Sequence, residues 1–255
     1  MRVISGQLRF LVFKVLRRLG INFRETNYGW SFRIFPNRPT AEDLSLEIGS
    51  RDALDAIDIA KFFGCRVIAF GPVPENILIC HQNLLGANPD IASLIDVDER
   101  CLSSKSGPMI FWAIDQNLYS NNGAGSMFHL NFDNRSPTDI DYKRQQIQKP
   151  ICVDAVRFDE SGIQAPHTIF LDVQGSELEV LQGFGAKLNQ IQNIVLECSL
   201  VSTYTDGCNF EDLDSFLIEH GFRFIYSTKH RGKKPKTENN KMYQGEFSAI
   251  YSRVA

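Results

Sequence analysis

Three carboxylic acids lie where a predicted βαβ unit would bring them to one edge of a sheet. The unit starts with the apolar strand 168–171, turns through Gly175 into a helix, and ends with a second apolar strand near Glu197. Asp172 follows the first strand directly, and Glu177 follows the turn. The carboxyl ends of parallel strands form the ligand-binding edge of such sheets. Because burial raises a carboxyl pKa, Asp172 is the best candidate for a general base or a ligand-orienting group.

Structural roles compete with chemical ones at these positions. Asp172 could instead cap the turn that follows it. Glu177 could orient a substrate or lie on the helix surface. Ser176 and Glu179 match the SxxE spacing of a capping box, so we interpret both as structural. His129 could be a base, but a lone histidine in a polar loop is more typical of a solvated side chain.

Strands and helices alternate along the chain and must position these acids. Strands are predicted at 44–48, at 66–70 and within 92–102, with helices at 53–63 and 74–85 between them. A chain of 255 residues with 43% hydrophobic content can bury one large core. The pattern predicts a single α/β domain built on a doubly wound, mainly parallel sheet.

The second half of the chain adds a polar insert and a C-terminal hairpin. Extended segments at 109–114 and 151–158 flank the insert, residues 115–148, whose length is typical of a functional loop. Its composition suits a lid or an acceptor-binding insert. No helix separates the strands predicted at 222–227 and 246–252, so we expect them to pair antiparallel.

Residues 1–40 are predicted to form an extension of the domain at 41–255. Residues 4–19 place apolar side chains on one helical face and basic ones elsewhere, which predicts an amphipathic helix. We expect it to dock on the domain or on a second subunit, with weak membrane contact as the alternative. Residues 21–40 indicate an edge strand or hairpin and a linker. The apolar run 10–13 is too short for a signal peptide or a membrane span, so a cytoplasmic protein is expected.

Composition limits the possible partners. With 27 Lys and Arg against 30 Asp and Glu, the net charge of -3 favours no nucleic-acid partner. The basic loop 229–241 lacks interleaved aromatic residues and is typical of a solvated loop. Contact with a phosphate-bearing acceptor is the alternative. The six cysteines form no CxxC pair and have no histidine at ligand spacing, so we expect free thiols and no metal site.

The turn after the first predicted strand argues against a nicotinamide oxidoreductase. It contains one glycine, Gly49, whereas the dinucleotide fingerprint requires three. Gly49 lets the backbone approach a ligand closely, and Glu47 could interact with a cationic group. We interpret Asp52 as the N-cap of the following helix rather than a ligand contact, with Asp55 supporting the same turn.

The βαβ unit carries a longer signature. The pattern DVxGxELxVLxG appears as Asp172, Val173, Gly175, Glu177, Leu178, Val180, Leu181 and Gly183. In these residues the chain resembles the FkbM family of S-adenosylmethionine-dependent methyltransferases, over roughly residues 41–227. The resemblance implies the class I methyltransferase fold, a seven-stranded, mainly parallel sheet with an antiparallel C-terminal hairpin. It also implies S-adenosylmethionine as cofactor and methyl transfer as the reaction.

The resemblance also implies which residues bind the cofactor, and at one of these positions the chain differs from the family. Adenine is expected near 99–102. Family members usually carry a glutamate before the PxPxN segment, where an acid binds both ribose hydroxyls, but here Gly71 stands at that position. Three accounts stay open: Glu75 or Asn76 replaces the acid, the cofactor binds weakly, or the enzyme is catalytically impaired. The residues expected to bind the cofactor are Glu47, Gly49, Ser50, Gly71, Pro72, Asn76 and Cys101.

The acceptor side is assigned by the same resemblance. Glu197 and Tyr204 resemble family positions near the acceptor pocket, and Gln174 stands where many relatives carry glutamate. We expect an O-methyltransferase, with Asp172 and Glu177 as catalytic residues, acting on a hydroxyl of a sugar, polysaccharide precursor or polyketide-like metabolite. The alternative is a catalytically impaired, methyltransferase-like binding or assembly protein.

Overall fold

The computed structural model describes residues 31–119, 121–131, 146–228, 234–235 and 246–254. The predicted N-terminal helix at 4–19 lies outside the described residues, as do most of the basic loop and residues 132–145 of the polar insert. Within the described part, no helix is long and apolar enough to cross a bilayer.

Strands and helices alternate as the sequence predicts. The strands of the described residues are β1 (Leu44–Ile48), β2 (Arg66–Phe70), β3 (Ile95–Asp98), β4 (Cys101–Leu102), β5 (Gly107–Ile114), β6 (Gln148–Val156), β7 (Thr168–Leu171), β8 (Asn193–Cys198), β9 (Phe222–Ser227) and β10 (Phe247–Arg253). The α-helices are α1 (Leu54–Phe63), α2 (Pro74–Gly86), α3 (Pro89–Ala92), α4 (Glu177–Gly183) and α5 (Phe210–Glu219). Short 3₁₀ helices span Ser31–Arg33, Asn122–Ala124, Phe158–Glu160 and Gly185–Gln190.

Seven strands form the main sheet, in the order β3-β2-β1-β7-β8-β10-β9. The first five of these are parallel to one another, and β10 is antiparallel to both β8 and β9. This confirms the class I methyltransferase fold and its C-terminal hairpin. The chain order reverses between β1 and β7, where Ile48 pairs with Leu171. The carboxyl ends of these two strands therefore open a crevice.

The core lies on both faces of this sheet. Successive residues of β7 alternate between the two apolar clusters, with Ile169 in one and Phe170 in the other. All five residues of β1 are buried, as expected of a parallel strand covered on both faces. Phe184, which follows α4, stacks on Phe158 with ring centroids 4.4 Å apart. The packing therefore fixes β7 and the segment after α4 in the βαβ unit that carries the acids.

A second, three-stranded sheet has the order β4-β6-β5 and was not predicted from the sequence. Its strands β5 and β6 flank the polar insert and pair antiparallel, with Met109 opposite Val153. The short strand β4 pairs parallel with β6. An apolar cluster joins Phe111 of β5 and Cys101 of β4 to Val73, which precedes α2. The second sheet thus adds an apolar wall beside the end of β2.

The edge strand predicted within 21–40 is wrong for its described part. Ser31–Arg33 is a 3₁₀ helix, and Phe32 and Phe35 are both buried. Phe32 lies in this helix and Phe35 lies two residues beyond its end, and both rings pack in the same apolar cluster. Phe32 contacts Phe170 at 5.8 Å between ring centroids. The aromatic residues at alternate positions gave a misleading strand signal.

Candidate active site

Gly49 and Asp172 are neighbours at the carboxyl ends of β1 and β7. The Asp172 N–H donates to the Ile48 carbonyl oxygen at 2.9 Å. Gly49 has φ +95°, and a Cβ atom there would overlap the Asp172 carbonyl oxygen. Only glycine satisfies both conditions. The loop expected to bind the cofactor and the acid expected to act as a base therefore border one crevice.

Two adjoining cavities occupy this crevice. Gly49 and Asp172 line both of them. The first cavity has a volume of 50 Å³ and an apolar end formed by Val73, Cys101, Leu102, Phe111 and Met127. The second has a volume of 330 Å³ and is lined mainly by polar and acidic side chains, including Glu47 and Glu197. Of the residues expected to bind the cofactor, Gly49, Ser50, Gly71, Pro72, Asn76 and Cys101 line the first cavity, and Glu47 and Gly49 line the second.

Glu47 is a buried acid near the carboxyl end of β1, beside helix α1. Its side chain is 6% exposed, and its Oε2 accepts a hydrogen bond from the Ala56 N–H at 3.2 Å. Burial, and then the nearby charge of Asp55, raises its pKa to about 8. Glu47 is therefore mostly protonated at neutral pH unless a cation lies beside it.

Gln174 links the two acids at the ends of β7 and β8. Its Nε2 donates to Asp172 Oδ1 at 2.7 Å and reaches Glu197 Oε2 at 3.4 Å. Its Oε1 accepts a hydrogen bond from the Tyr204 hydroxyl at 2.8 Å. That hydroxyl also lies 3.1 Å from the Ala124 carbonyl oxygen. The predicted acceptor-side residues are thus brought into one network.

Glu177 is buried and does not lie on the helix surface, so that alternative is wrong. It is 3% exposed, and its Oε1 accepts hydrogen bonds from the Val173 and Gly175 N–H groups, each at 3.2 Å. Burial raises its pKa to about 7. One carboxylate oxygen is therefore committed to holding the turn, while Oε2 faces Cys208 at 3.4 Å.

Gly71 cannot carry a side chain in this backbone, because a Cβ atom would overlap the Ser50 carbonyl oxygen. Of its two candidate substitutes, Glu75 pairs with Lys149 at 3.2 Å, and its side chain is 49% exposed. Asn76 is 6% exposed and lines the first cavity. Its Oδ1 accepts a hydrogen bond from Asn122 Nδ2 at 2.6 Å. The geometry favours Asn76.

The predicted capping box is wrong. The Ser176 side chain makes no capping bond; its hydroxyl lies 3.2 Å from the Ser126 hydroxyl. Glu179 accepts a hydrogen bond from the Ser104 hydroxyl. Partners that are distant in the chain have replaced the local cap. The N-cap predicted at Asp52 is also wrong, because Ala53 is the N-cap of α1; Asp52 lies one residue earlier, and its Oδ1 accepts from the Leu54 N–H at 3.2 Å.

The insert contributes site residues that the sequence did not single out. Asn122 and Met127 line the first cavity, together with Arg51 from the β1 loop. The polar insert was expected to be a lid or an acceptor-binding segment. Its length and composition did not indicate which of its residues would line the site. His129 instead stacks on Trp112, with ring centroids 3.7 Å apart.

All six cysteines are free, as predicted. Among the described residues, no group of three or more His, Cys, Asp or Glu side chains could hold a metal ion.

Comparison with known proteins identifies the family. The profile described as methyltransferase FkbM domain matches residues 47–224. No match was found among curated proteins. The crystal structure of methyltransferase FkbM from Methylobacillus flagellatus KT is similar in fold, with a TM-score of 0.52 at 15% identity over 96% of this chain and 52% of that chain. This chain thus spans about half the length of that relative.

A second solved structure aligns more weakly. Magnesium protoporphyrin IX methyltransferase from Synechocystis PCC 6803, crystallised with bound S-adenosylmethionine, has a TM-score of 0.45 at 11% identity over 97% of this chain and 79% of that chain. The profile match includes the crevice, its glycine loop and the acids of the βαβ unit. The chain therefore belongs to the FkbM family of methyltransferases, which use S-adenosylmethionine as cofactor.

Proposed function

We propose that the protein transfers a methyl group from S-adenosylmethionine to a hydroxyl of a sugar, a polysaccharide precursor or a polyketide-like metabolite. The observation that carries the proposal is the position of Asp172, which lines both the partly apolar first cavity and the polar second cavity. A base at this junction can reach a donor in one cavity and an acceptor in the other.

The first cavity and the adjoining edge of the second together match the chemistry of the cofactor. Val73, Cys101 and Phe111 provide apolar surface for adenine. At the opposite side, Glu47 borders the second cavity and could pair with the cofactor's ammonium group. When bound, S-adenosylmethionine supplies a methyl group activated by a positively charged sulfur.

We assign the ribose contact to Asn76 and Asn122. An amide pair offers donors and acceptors that match two neighbouring hydroxyls, although a neutral contact is weaker than the carboxylate contact of other family members. One helix residue and one insert residue would share the contact. Gly71 then leaves room for the ribose instead of binding it.

We propose that the insert moves when the cofactor enters. The 50 Å³ of the first cavity is about a third of the roughly 150 Å³ that admits benzene in engineered cavities. Gly123, Gly125 and Met127 of the insert line this cavity. We infer that this segment shifts outward to admit adenosine and returns over it.

The acceptor is assigned to the second cavity. Its volume of 330 Å³ falls within the roughly 300–1,000 Å³ of small-molecule sites. Its lining is mainly polar, which suits a hydroxyl-rich molecule such as a sugar. The Asp172 carboxylate can orient the acceptor hydroxyl and take its proton.

Calorimetry with S-adenosylhomocysteine tests the cofactor assignment. We expect Asn76→Ala to lose about 1–3 kcal/mol of binding, about five- to 150-fold in affinity, because its share of the ribose hydrogen bonds is lost. Asn117→Ala, at an exposed turn outside the first two cavities, is the matched control and should bind like the wild type. Wild-type affinity in Asn76→Ala would reject the ribose assignment.

A radiolabelled methyl donor offered with a panel of sugars and sugar nucleotides tests the reaction. Incorporation into a hydroxyl is the expected result. If the wild-type protein binds neither the donor nor S-adenosylhomocysteine at millimolar concentration, the catalytically impaired binding protein becomes the better account. Gly71 is the observation that favours this alternative.

A further inference from the structure

Asp172 and Glu197 form a carboxyl pair at the junction of the two cavities. Asp172 Oδ1 lies 2.7 Å and Glu197 Oε2 lies 3.4 Å from the same nitrogen, Gln174 Nε2. Two buried like charges that meet at one amide nitrogen repel strongly. The pair therefore retains one proton in the ligand-free protein.

We propose that Asp172 and Glu197 share this proton until the positively charged cofactor binds, release it then, and so become the base that takes the acceptor's hydroxyl proton. This inference rests on the proposed methyl transfer and goes beyond it by assigning Glu197 to the base. It also explains why the neighbouring strands β7 and β8 each place an acid at the same edge of the sheet. A single carboxylate of ordinary pKa would be a much weaker base.

The proton balance closes over one cycle. Binding of the sulfonium sends the shared proton to solvent and leaves two carboxylates beside a cation. The acceptor O–H bond then breaks, and its proton moves between Asp172 and Glu197. The acceptor oxygen forms its bond to the methyl carbon, while the bond from that carbon to sulfur breaks and its electron pair stays on sulfur. The pair ends in its starting state beside a neutral thioether.

Gln174 and Tyr204 are positioning residues in this arrangement. The Tyr204 hydroxyl donates to Gln174 Oε1, which directs the amide nitrogen toward the acids. Gln174 adopts a left-handed backbone conformation, with φ 57°, that places its side chain there. A glutamine suits the role because it donates to both carboxyl groups and adds no further negative charge.

The charged groups around the pair favour proton uptake. Burial raises the pKa of Asp172, and the adjacent Asp172 charge, followed by burial, raises the pKa of Glu197 well above its usual range. Glu246 and Glu177 raise the pKa of Glu197 further, whereas Arg51 opposes the effect at Asp172. A bound cation would act in the same direction as Arg51 and lower the pKa of both acids.

The test compares S-adenosylmethionine with S-adenosylhomocysteine, which share every group except the charged sulfur and its methyl. Proton release on binding makes affinity rise with pH. We therefore expect the wild-type affinity for S-adenosylmethionine, relative to S-adenosylhomocysteine, to rise up to tenfold per pH unit through the range where the pair titrates. Both ligands carry the same ammonium group. The pH dependence contributed by residues that respond to it, such as Glu47, therefore cancels in this ratio.

The variants make the assignment specific. Glu197→Gln and Asp172→Asn should each flatten the pH dependence of the ratio, whereas Glu219→Gln, at an exposed helix end, should leave it as in the wild type. The use of two nearly isosteric variants guards against one that fails to fold. A ratio independent of pH in the wild type, or one that stays pH-dependent in both variants, overturns the proposal. Absence of binding by either ligand instead overturns the proposed function.

Discussion

The buried carboxyl of Glu47 leads to a quantitative prediction about cofactor binding. With a pKa of about 8, Glu47 is about nine-tenths protonated at pH 7. An ammonium group about 4 Å away, at an effective dielectric constant of about 20, interacts with the carboxylate by about 4 kcal/mol. At about 1.4 kcal/mol per pH unit, this suffices to ionise Glu47 at pH 7. Binding of S-adenosylhomocysteine should therefore release about 0.9 proton from this residue.

Calorimetry in two buffers measures this release. Phosphate and Tris differ in ionisation enthalpy, so the difference in binding heat at pH 7 gives the number of protons released. Glu47→Gln should remove about 0.9 proton from the wild-type value and weaken binding, because the amide cannot become an anion. The reasoning is refuted if both proteins release the same number of protons, since Glu47 would then not meet the ammonium group.

Three further outcomes follow from the same structure. Because the folded-state pKa of Glu47 exceeds its usual 4.5, its contribution to stability is full below about pH 4.5 and is lost as pH rises through about 8. Denaturant unfolding should show Glu47→Gln gaining on the wild type from about pH 4.5 to about pH 8, by at most about 5 kcal/mol in total, whereas parallel curves over that range would contradict the burial argument. Gly71→Glu should weaken S-adenosylhomocysteine binding in calorimetry, because its Cβ overlaps the Ser50 carbonyl and overpacking costs about 1–3 kcal/mol; tighter binding would show that the loop adapts and that the acid reaches the ribose. Asn209→Ala should lower the free energy of unfolding by about 1 kcal/mol, because the Asn209 and Asp212 side chains form a capping box on α5, and an unchanged denaturation midpoint would contradict this.

The position of the crevice was predictable because it depends on strand direction. The apolar runs that became β1 and β7 each end in a chemically distinctive residue, and parallel strands present those ends at one edge. Gly49 and Asp172 therefore met as expected. No side-chain contact was needed for that inference.

Contacts between distant segments were not predictable in the same way. The pairing of β5 with β6 joins segments on either side of the insert, and no local pattern specifies such a partner. Ser176 fits a local capping rule, yet its hydroxyl meets Ser126, which the insert brings to it. The meeting of Asp172 and Glu197 at the Gln174 amide likewise depends on the register of β7 and β8. Tertiary packing decided all three.

The close approach of Gly49 to the Asp172 carbonyl limits how this protein can change its selectivity. No larger residue fits at Gly49 without displacing the backbone of Asp172, the proposed proton acceptor. Engineering of new acceptor preferences is therefore best directed at the segment 121–127, which borders the same crevice. Variation in that segment can reshape the entrance while the reacting groups keep their alignment.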